Sequence, residues 1–485
     1  MLNTKIICKI MGSLLFIEGG MLLLCLILSI CFGEEDLMAF IYSTLIACGS
    51  GALLKYYGRK APNHMNRRDG YLVVSSSWVV FSLVGMLPFL FSGYIPSVTD
   101  AFFETMSGFT TTGATILTNI DSFPHSLLFW RSLTQWIGGL GIVFFTLAIL
   151  PTIGIGDVKL FAAEATGPRH NKLHPRIKTT AKWLWTIYAL LTVACAIALF
   201  FSGMNVFDSI NHALTTTATG GYSTHQDGIM FFKSKPIEYV EIIFMFLAGI
   251  NFTMLYLFLL KGKVKSLFRD SEFRYYLLVV IGTSLIIAAT LVFSTGYDVE
   301  HALRAAFFSV VSLITTTGFV SEDYAIWVTP VWFLLNICMF SGACAGSTSG
   351  GFKCIRCVML IKTAFNEFKH ILHPNAIVPI RINHAVVSSS LERTLLAFAF
   401  FYISLIVIGG MLLVSMGLPY MDAFSIAITA HSNSGPVIGH LISPVETLAS
   451  LPDAGKWVCS FLMLAGRLEI FSVLLPFVPS FWKEN

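Results

Sequence analysis

Ten predominantly apolar stretches follow one another along the chain. They span residues 6–32, 37–57, 71–93, 127–150, 179–202, 237–261, 275–295, 328–363, 391–416 and 457–481. A helix that crosses a bilayer needs about 20 mainly apolar residues, so each stretch is a candidate span. The first carries Glu18 and leads directly into the second, which favours a span over a cleaved signal peptide. The pattern predicts an all-α polytopic membrane protein.

Short polar segments interrupt this pattern four times. Aligned without gaps, the stretches DAFFETMSGFTTTG, DSINHALTTTATGG, AAFFSVVSLITTTG and DAFSIAITAHSNSG end at Gly113, Gly221, Gly318 and Gly435, which are 108, 97 and 117 residues apart. Each repeat therefore comprises a span, a short segment, a glycine and a second span. We divide the chain into a leading pair of spans at 1–70 and four pore repeats at 71–178, 179–274, 275–390 and 391–485.

The short segments cannot cross a membrane. About 13 residues form about 20 Å of helix, which is less than the roughly 30 Å of a hydrocarbon core. We expect each segment to enter the membrane as a short helix and return on the same side, with Asp100, Asp208 and Asp422 as N-caps. Irregular backbone at membrane depth must be buried in protein or line a water-filled cavity.

Four such segments around one axis would surround a cavity with backbone oxygens, which can replace the hydration shell of a monovalent cation. No carboxylate occurs around the four glycines, at 110–114, 217–222, 315–319 and 432–436, which disfavours a divalent ion. The predicted ion-binding residues are Thr111, Thr112, Gly113, Thr219, Gly220, Gly221, Thr316, Thr317, Gly318, Asn433, Ser434 and Gly435. The second repeat leaves both Gly220 and Gly221 open as its filter glycine, although the register favours Gly221. The competing interpretation is a set of helix-packing surfaces made of small residues.

Composition and charge fit a membrane protein with a fixed orientation. With 55% hydrophobic and 12% charged residues among 485, and a mean hydropathy of +0.75, the chain has too few charges for a soluble surface. Of the 31 Lys and Arg residues, 25 lie on one side of the predicted topology, so that side and both termini should be cytoplasmic. The net charge of +4 follows from this bias and requires no nucleic-acid partner. No GxxxxGK[ST] motif is present, and we expect no enzymatic activity.

Two features are candidates for a gate. Residues 341–351 read SGACAGSTSGG in the middle of the overlong span at 328–363, which predicts a hinge or intramembrane loop, with a loosely packed helix contact as the alternative. Arg467 lies near the middle of the last span, where a charge usually faces a cavity or a partner. Pairing with Glu469, or extension of the side chain to the interface, is the alternative for Arg467.

The four repeats resemble the Trk/Ktr/HKT superfamily of potassium and sodium transporters over nearly the whole chain. The resemblance implies a homodimer in the bacterial inner membrane, one pore in each monomer, and a cytosolic nucleotide-binding regulatory subunit like TrkA. It carries the filter role to Gly113, Gly318 and Gly435. The gate role falls on Gly342, Gly346, Ser347, Thr348, Ser349, Gly350, Gly351 and Arg467. Asn433 and Ser434 depart from the threonine-rich pattern, which leaves sodium open as a second transported ion.

We therefore expect a channel-like pathway for K⁺ uptake, with K⁺ as the transported ion and no organic cofactor. A coupled K⁺/H⁺ or K⁺/Na⁺ symporter is the alternative, because discontinuous helices are also typical of transporters. A scaffold or receptor has no use for re-entrant segments. The basic segments 169–182, 261–274 and 353–393 are expected to dock the regulatory subunit, with attraction to anionic lipid as the alternative.

Overall fold

The computed structural model describes residues 2–61, 65–139, 141, 177–375, 378–383, 385–439 and 443–483. Almost all ordered elements in this part of the chain are helices, which confirms the predicted all-α polytopic class. Six of the described helices are long and apolar enough to cross a membrane: Thr4–Phe32, Leu37–Lys60, Arg68–Phe91, Ala181–Phe201, Ser271–Thr295 and Ser389–Ser415. A bent pair of helices can form a seventh span.

The leading spans form a tightly packed helix pair, α1 (Thr4–Phe32) and α2 (Leu37–Tyr57). A Cβ atom on Gly12 would lie 2.6 Å from the carbonyl oxygen of Gly51. Small residues where two helices cross let the backbones approach this closely. The resulting van der Waals contacts stabilise the helix pair in lipid, where no hydrophobic effect drives helices together.

Each repeat places a short helix between longer apolar helices. The first contains α3 (Arg67–Gly85), α4 (Leu87–Phe91), α5 (Val98–Phe109) and α6 (His125–Gly139). The second contains α7 (Ile177–Phe201), α8 (Val206–Thr217), α9 (Lys235–Ala248), α10 (Phe252–Leu259) and α11 (Val264–Arg269). The predicted span at 127–150 beyond Gly139 and most of the basic segment 169–182 lie outside the described residues. The predicted repeat limits therefore stay a prediction.

The third and fourth repeats complete the fold. The third contains α12 (Ser271–Thr295), α13 (Val299–Ile314), α14 (Thr329–Ser341), α15 (Cys354–Leu372) and an antiparallel hairpin of β1 (Arg381–Ile382) and β2 (Ala385–Val386). The fourth contains α16 (Ser389–Ser415), α17 (Tyr420–Ser432), α18 (Asp453–Arg467), α19 (Ile470–Leu474) and α20 (Pro479–Trp482). Short 3-10 turns connect some of these helices. They lie at Gly58–Lys60, Ile120–Ser122, Gly228–Phe232, Tyr324–Ile326, Leu448–Ser450 and Leu475–Phe477.

The N-caps of the short helices differ from the sequence prediction. Ser97 caps α5 and Asn205 caps α8, each by accepting a hydrogen bond from the backbone N–H three residues later. The predicted caps Asp100, Asp208 and Asp422 instead occupy the third helical position, so that prediction is wrong. A carboxylate in the first turn still interacts favourably with the positive end of the helix dipole, which explains why aspartate recurs there.

Three predicted spans are broken. The stretch predicted at 237–261 bends by 108° between α9 and α10, around residues 249–251. The last span ends as a regular helix at Arg467, and Glu469 adopts a positive φ of 56° before α19 begins. The overlong third-repeat stretch is interrupted at 342–353, which contains most of the loop expected from its glycine content.

The apolar core has two parts that enclose a polar centre. One part joins the leading helices to repeats 1 and 4, and the other joins repeats 2 and 3. Polar contacts connect neighbours around the ring: Tyr222 donates to the Glu104 carbonyl, Arg304 pairs with Glu238, and Lys456 Nζ lies 2.6 Å from Asp100. The four short helices therefore end around a common axis.

Candidate ion pathway

The chain makes the same turn after each of the four short helices. A left-handed residue comes first, then one ordinary residue, then a left-handed glycine. The first residues are Thr111, Thr219, Thr316 and Asn433, with φ of 53°, 54°, 56° and 58°, and the glycines are Gly113, Gly221, Gly318 and Gly435, with φ of 80°, 77°, 83° and 88°. We call the stretches 111–113, 219–221, 316–318 and 433–435 the candidate filter segments.

The left-handed threonines show that this turn is held by its surroundings. A β-branched residue with positive φ is rare because its side chain crowds the backbone. The middle residue of every segment donates its N–H to the carbonyl five residues earlier, as in Thr112 to Ser107 and Thr317 to Ser312. Asn433 adopts the same conformation as the threonines, so the departure of repeat 4 in sequence is not a departure in backbone shape.

In the second repeat, Gly221 is the glycine equivalent to Gly113, Gly318 and Gly435. Gly221 has the positive φ shared by the other three glycines, whereas Gly220 occupies the middle position and does not. Gly220 is required for another reason: a Cβ there would lie 2.4 Å from the side chain of Gln135. The amide of Gln135 donates to the Gly220 carbonyl at 2.8 Å and accepts from the Tyr222 N–H at 3.1 Å.

The candidate filter segments form a closed ring in chain order. A Cβ on Gly113 would lie 2.1 Å from the Gly220 oxygen, one on Gly221 2.0 Å from the Thr317 oxygen, and one on Gly318 2.2 Å from the Ser434 oxygen. The ring closes where a Cβ on Gly435 would lie 2.9 Å from the Thr112 oxygen. Each glycine thus packs against the carbonyl of the residue that precedes the glycine of the next repeat around the ring.

This ring opens into a single cavity of about 100 Å³ that all four glycines line. The hydroxyl groups of three middle residues hydrogen-bond the hydroxyl two residues earlier in the chain: Thr112 with Thr110, Thr317 with Thr315, and Ser434 with Ser432, at 2.7 to 2.8 Å. These hydrogen bonds stabilise the turns. Backbone carbonyls lie around the ring, and the ion-binding role of the threonines stays a prediction.

Buried polar groups hydrogen-bond the candidate filter segments and the residues next to them. Arg131 and Glu104 form an ion pair with N···O of 2.8 Å and almost no exposure. Glu104 also accepts hydrogen bonds from the Thr115 hydroxyl and the Ile116 N–H, just after the first candidate filter segment. Asn433 donates to the Thr112 hydroxyl at 2.9 Å, which ties repeat 4 to repeat 1.

Glycines on the second helix of repeats 1 and 4 allow that helix to approach the short helices. A Cβ on Gly138 would lie 1.8 Å from the Phe109 oxygen, and one on Gly466 would lie 1.9 Å from the His431 oxygen. These carbonyls belong to the last turns of α5 and α17. The glycines therefore bring α6 and α18 against the side of the ring where the short helices end, which we call its lower side.

The loop at 342–353 lies against the ends of three short helices. Thr348 donates to the Thr217 carbonyl at 3.1 Å, and the Gly350 N–H donates to the Thr316 hydroxyl at 2.7 Å. A Cβ on Gly350 would lie 2.4 Å from the Ser432 oxygen. The loop therefore crosses beneath repeats 2, 3 and 4, on the side of the ring opposite the cavity.

The other predicted gate residues shape this loop. Gly342, Gly346 and Gly351 have positive φ, and a Cβ on Gly346 would lie 2.9 Å from the Asn251 amide. Ser347 donates to the Cys344 carbonyl at 2.6 Å, and the Ser349 hydroxyl accepts from the Ala343 N–H at 3.2 Å. Backbone freedom and internal hydrogen bonds thus maintain a compact non-helical turn.

Arg467 is bonded to the loop and to repeat 1. Its guanidinium donates to the carbonyls of Thr348, Gly138 and Gly139, each at 2.6 Å. The Glu469 carboxylate, the partner considered in the alternative, is bonded by Arg356. The predicted gate elements, the loop and Arg467, therefore meet directly under the ring.

The sequence did not identify Lys353 and Arg356 as parts of this site. Lys353 is buried, has a positive φ of 80°, and donates to the Ser349 carbonyl. Arg356 holds Glu469 and stacks over Phe398 at 3.9 Å. The sequence signal was Lys353, two residues after the glycine-rich stretch. A buried loop needs hydrogen-bond donors for its backbone carbonyls, and a lysine can supply them.

A histidine bridges two repeats beside the cavity. His225 bonds Asp121 of repeat 1 at 2.9 Å and Asp208 of repeat 2 at 3.1 Å. Burial alone lowers the pKa of His225, but the hydrogen bonds to these two carboxylates outweigh burial and raise it. No group of three or more His, Cys, Asp or Glu side chains within the described ranges could hold a metal ion.

Known proteins resemble the chain over its full length. The family model described as TrkH, a cation transport protein, matches residues 37–484. The Trk system potassium uptake proteins TrkH of Salmonella typhimurium and of Escherichia coli K12 are each 37% identical over 486 residues, with 100% of both chains covered. The crystal structure of the potassium transporter TrkH from Vibrio parahaemolyticus superimposes with a TM-score of 0.90 at 33% identity, covering 99% of this chain and 100% of that one. With its four-repeat ring and these relatives, the chain belongs to the TrkH family of cation transport proteins.

Proposed function

We propose that the chain takes up K⁺ across the bacterial inner membrane through a channel-like pore. The closed ring of candidate filter segments carries this proposal, because four equivalent turns present carbonyls around one cavity. Backbone oxygens can replace the hydration shell of a monovalent cation without the carboxylates that a divalent ion requires. The printed names of the relatives, potassium uptake proteins and a potassium transporter, agree with K⁺ as the ion.

The pathway needs no chemical energy of its own. A membrane potential supplies about 2.3 kcal/mol per elementary charge per 100 mV, which concentrates a permeant cation inside the cell. Uptake then requires only a selective site and control over when the pore conducts.

We assign that control to the 342–353 loop and Arg467. The loop obstructs the pathway below the ring through its contacts with Thr217, Thr316 and Ser432. A fixed guanidinium charge there repels cations, and its three carbonyl partners hold the loop in place. Conduction requires the loop to move and Arg467 to exchange these partners.

A cytosolic nucleotide-binding subunit is expected to move the loop from outside the membrane, and the transporter is expected to act as a homodimer with both termini cytoplasmic. The basic segments 169–182, 261–274 and 353–393 remain the candidates for docking. Lys353 and Arg356 are buried and bonded within the chain, so the third segment offers a surface only at its later residues.

Coupled symport is the second candidate, and the broken helices favour it. The 108° bend between α9 and α10, and the separation of α14 from α15, are of the kind found at transporter binding sites. Reversal potentials of the purified protein in bilayers, measured with K⁺ and proton gradients varied separately, distinguish the two. A channel-like pore follows the K⁺ gradient alone, whereas a K⁺/H⁺ symporter shifts its reversal potential with the proton gradient. Absence of any K⁺ current or K⁺ uptake by folded, inserted protein overturns both.

A further inference from the structure

The segment at 259–269 combines exposed apolar side chains with a cluster of cations. Leu259, Leu260, Val264 and Phe268 are 44%, 46%, 46% and 53% exposed. Lys261, Lys263, Lys265 and Arg269 lie among them, and no acidic residue lies between 252 and 269. Within the described ranges, none of these four cations forms an ion pair with a carboxylate. A basic segment with exposed apolar side chains is typical of a helix or loop at a membrane interface.

The same segment borders an open depression of about 730 Å³. Lys263, Lys265 and Arg269 line it, together with Asp270 and Asn383. The Asp270 carboxylate caps α12 and bonds the Asn383 amide, so it is already engaged within the protein. The depression thus presents three cations against one carboxylate beside apolar surface, and this net positive charge suits a ligand with an anionic head and an apolar tail.

Hydrogen bonds link this segment to the loop under the ring. At the bend before α10, the Gly249 carbonyl accepts from the Cys344 N–H at 3.1 Å and the Phe252 N–H donates to the Gly346 carbonyl at 2.9 Å. The Asn251 amide donates to the Ala345 carbonyl. We call these three bonds the latch. Because α10 continues directly into 259–269, a force on that segment reaches the loop through the latch.

We propose that anionic lipid headgroups of the membrane bind the segment at 259–269 and, through the latch, hold the 342–353 loop in its obstructing position. This inference rests on the proposed function for its effect on transport. The lipid-binding surface itself rests only on the geometry and charge of the segment.

Lipid fits this surface better than a protein partner does. The exposed leucines and phenylalanine lie between the lysines. The membrane interface suits both kinds of side chain, because hydrocarbon there borders charged headgroups. The bend of 108° also turns α10 away from the direction of α9. Docking of the cytosolic subunit at this segment is the competing outcome.

The test uses the full-length protein in vesicles of phosphatidylcholine with increasing phosphatidylglycerol. K⁺ flux and bound phosphatidylglycerol, the latter by native mass spectrometry, are measured for the parent and for the triple variant Lys261→Gln, Lys263→Gln, Lys265→Gln. The matched control, Lys5→Gln, Lys55→Gln, Lys60→Gln, removes the same charge from exposed lysines outside the three candidate docking segments. Each lysine near an anionic surface contributes about a fivefold preference.

We expect phosphatidylglycerol to lower the flux of the parent and of the control. The triple variant should bind much less phosphatidylglycerol, and its flux should not respond to that lipid. If the triple variant retains both the lipid and the response, the proposal is overturned. It is also overturned if the variant retains the lipid but loses co-purification of the regulatory subunit, because the segment is then a protein-docking surface.

Asn251→Asp tests the latch without removing the helix cap. The carboxylate can still accept the hydrogen bonds from Thr253 and Met254 that the Asn251 side chain accepts, but it cannot donate to the Ala345 carbonyl. We expect this variant to bind phosphatidylglycerol as the parent does while its flux no longer responds. A normal response contradicts transmission through the latch. If no variant and no parent carries K⁺ in any lipid while the binding pattern holds, the transport proposal fails and the lipid site stands.

Discussion

Replacing Gly318 by alanine tests whether the ring selects ions. The residue has a φ of 83°, and an added Cβ would lie 2.2 Å from the Ser434 oxygen and 2.8 Å from the Pro436 ring. A left-handed conformation costs alanine about 1–2 kcal/mol. An ordinary contact begins near 3.4 Å, so the Ser434 carbonyl or its neighbours must move by about 1.2 Å. The substitution therefore displaces one of the four oxygens that would face the ion.

The expected result is a loss of discrimination between K⁺ and Na⁺ with conduction retained. A change of 1.4 kcal/mol in relative ion stabilisation corresponds to about a tenfold change in the permeability ratio. We expect at least that for Gly318→Ala and for Gly221→Ala, whose Cβ would lie 2.0 Å from the Thr317 oxygen. Gly435→Ala should have a smaller effect, because its nearest oxygen is 2.9 Å away.

Bi-ionic reversal potentials of purified protein in bilayers measure this ratio directly. Gly296→Ala is the matched control, since Gly296 also has a positive φ, 70°, but no atom lies within 4 Å of its added Cβ. The control separates backbone strain from displacement of a carbonyl. Unchanged ratios for both Gly318→Ala and Gly221→Ala, in protein that is folded and conducting, would refute the assignment of the ring as the selectivity filter.

Three further predictions concern groups around the ring. Arg467→Ala should raise K⁺ and Na⁺ flux alike, because it removes a charge and a support of the loop but no filter oxygen; wild-type flux in folded protein places the gate elsewhere. Arg131→Ala leaves the Glu104 carboxylate buried without its partner and should lower the free energy of unfolding, measured in a denaturation series, by about 3–5 kcal/mol. Lys235→Ala, at an exposed ion pair, should lower it by less than about 1 kcal/mol. Equal decreases for the two variants contradict a stabilising role of the buried pair. His225 has a raised pKa, so its ionic contacts with Asp121 and Asp208 are fully present below pH 6.5 and are lost as the pH rises through that pKa. The melting temperature should therefore fall with rising pH in the parent but not in His225→Gln. Parallel pH profiles of the two proteins argue against this bridge.

The local sequence determined the class of the protein, its repeats and the position of its short helices. These features depend on the length of apolar stretches and on residue types within about 14 positions, and both are visible along the chain. The ungapped register of Gly113, Gly221, Gly318 and Gly435 also pointed to equivalent backbone turns, since glycine tolerates a positive φ at little cost. The glycine content of 341–351 likewise predicted a break in the helix.

Only the tertiary structure decided how these elements meet. The choice of Gly221, the link from Asn433 to Thr112 and the three carbonyl partners of Arg467 depend on contacts between residues far apart in sequence. The bend after Ala248 was missed because its carbonyls and amides are satisfied by the loop of the next repeat, so that the break costs little there. In a membrane, a broken helix is stable only where another part of the chain supplies the missing hydrogen bonds, and such partners are absent from any local pattern.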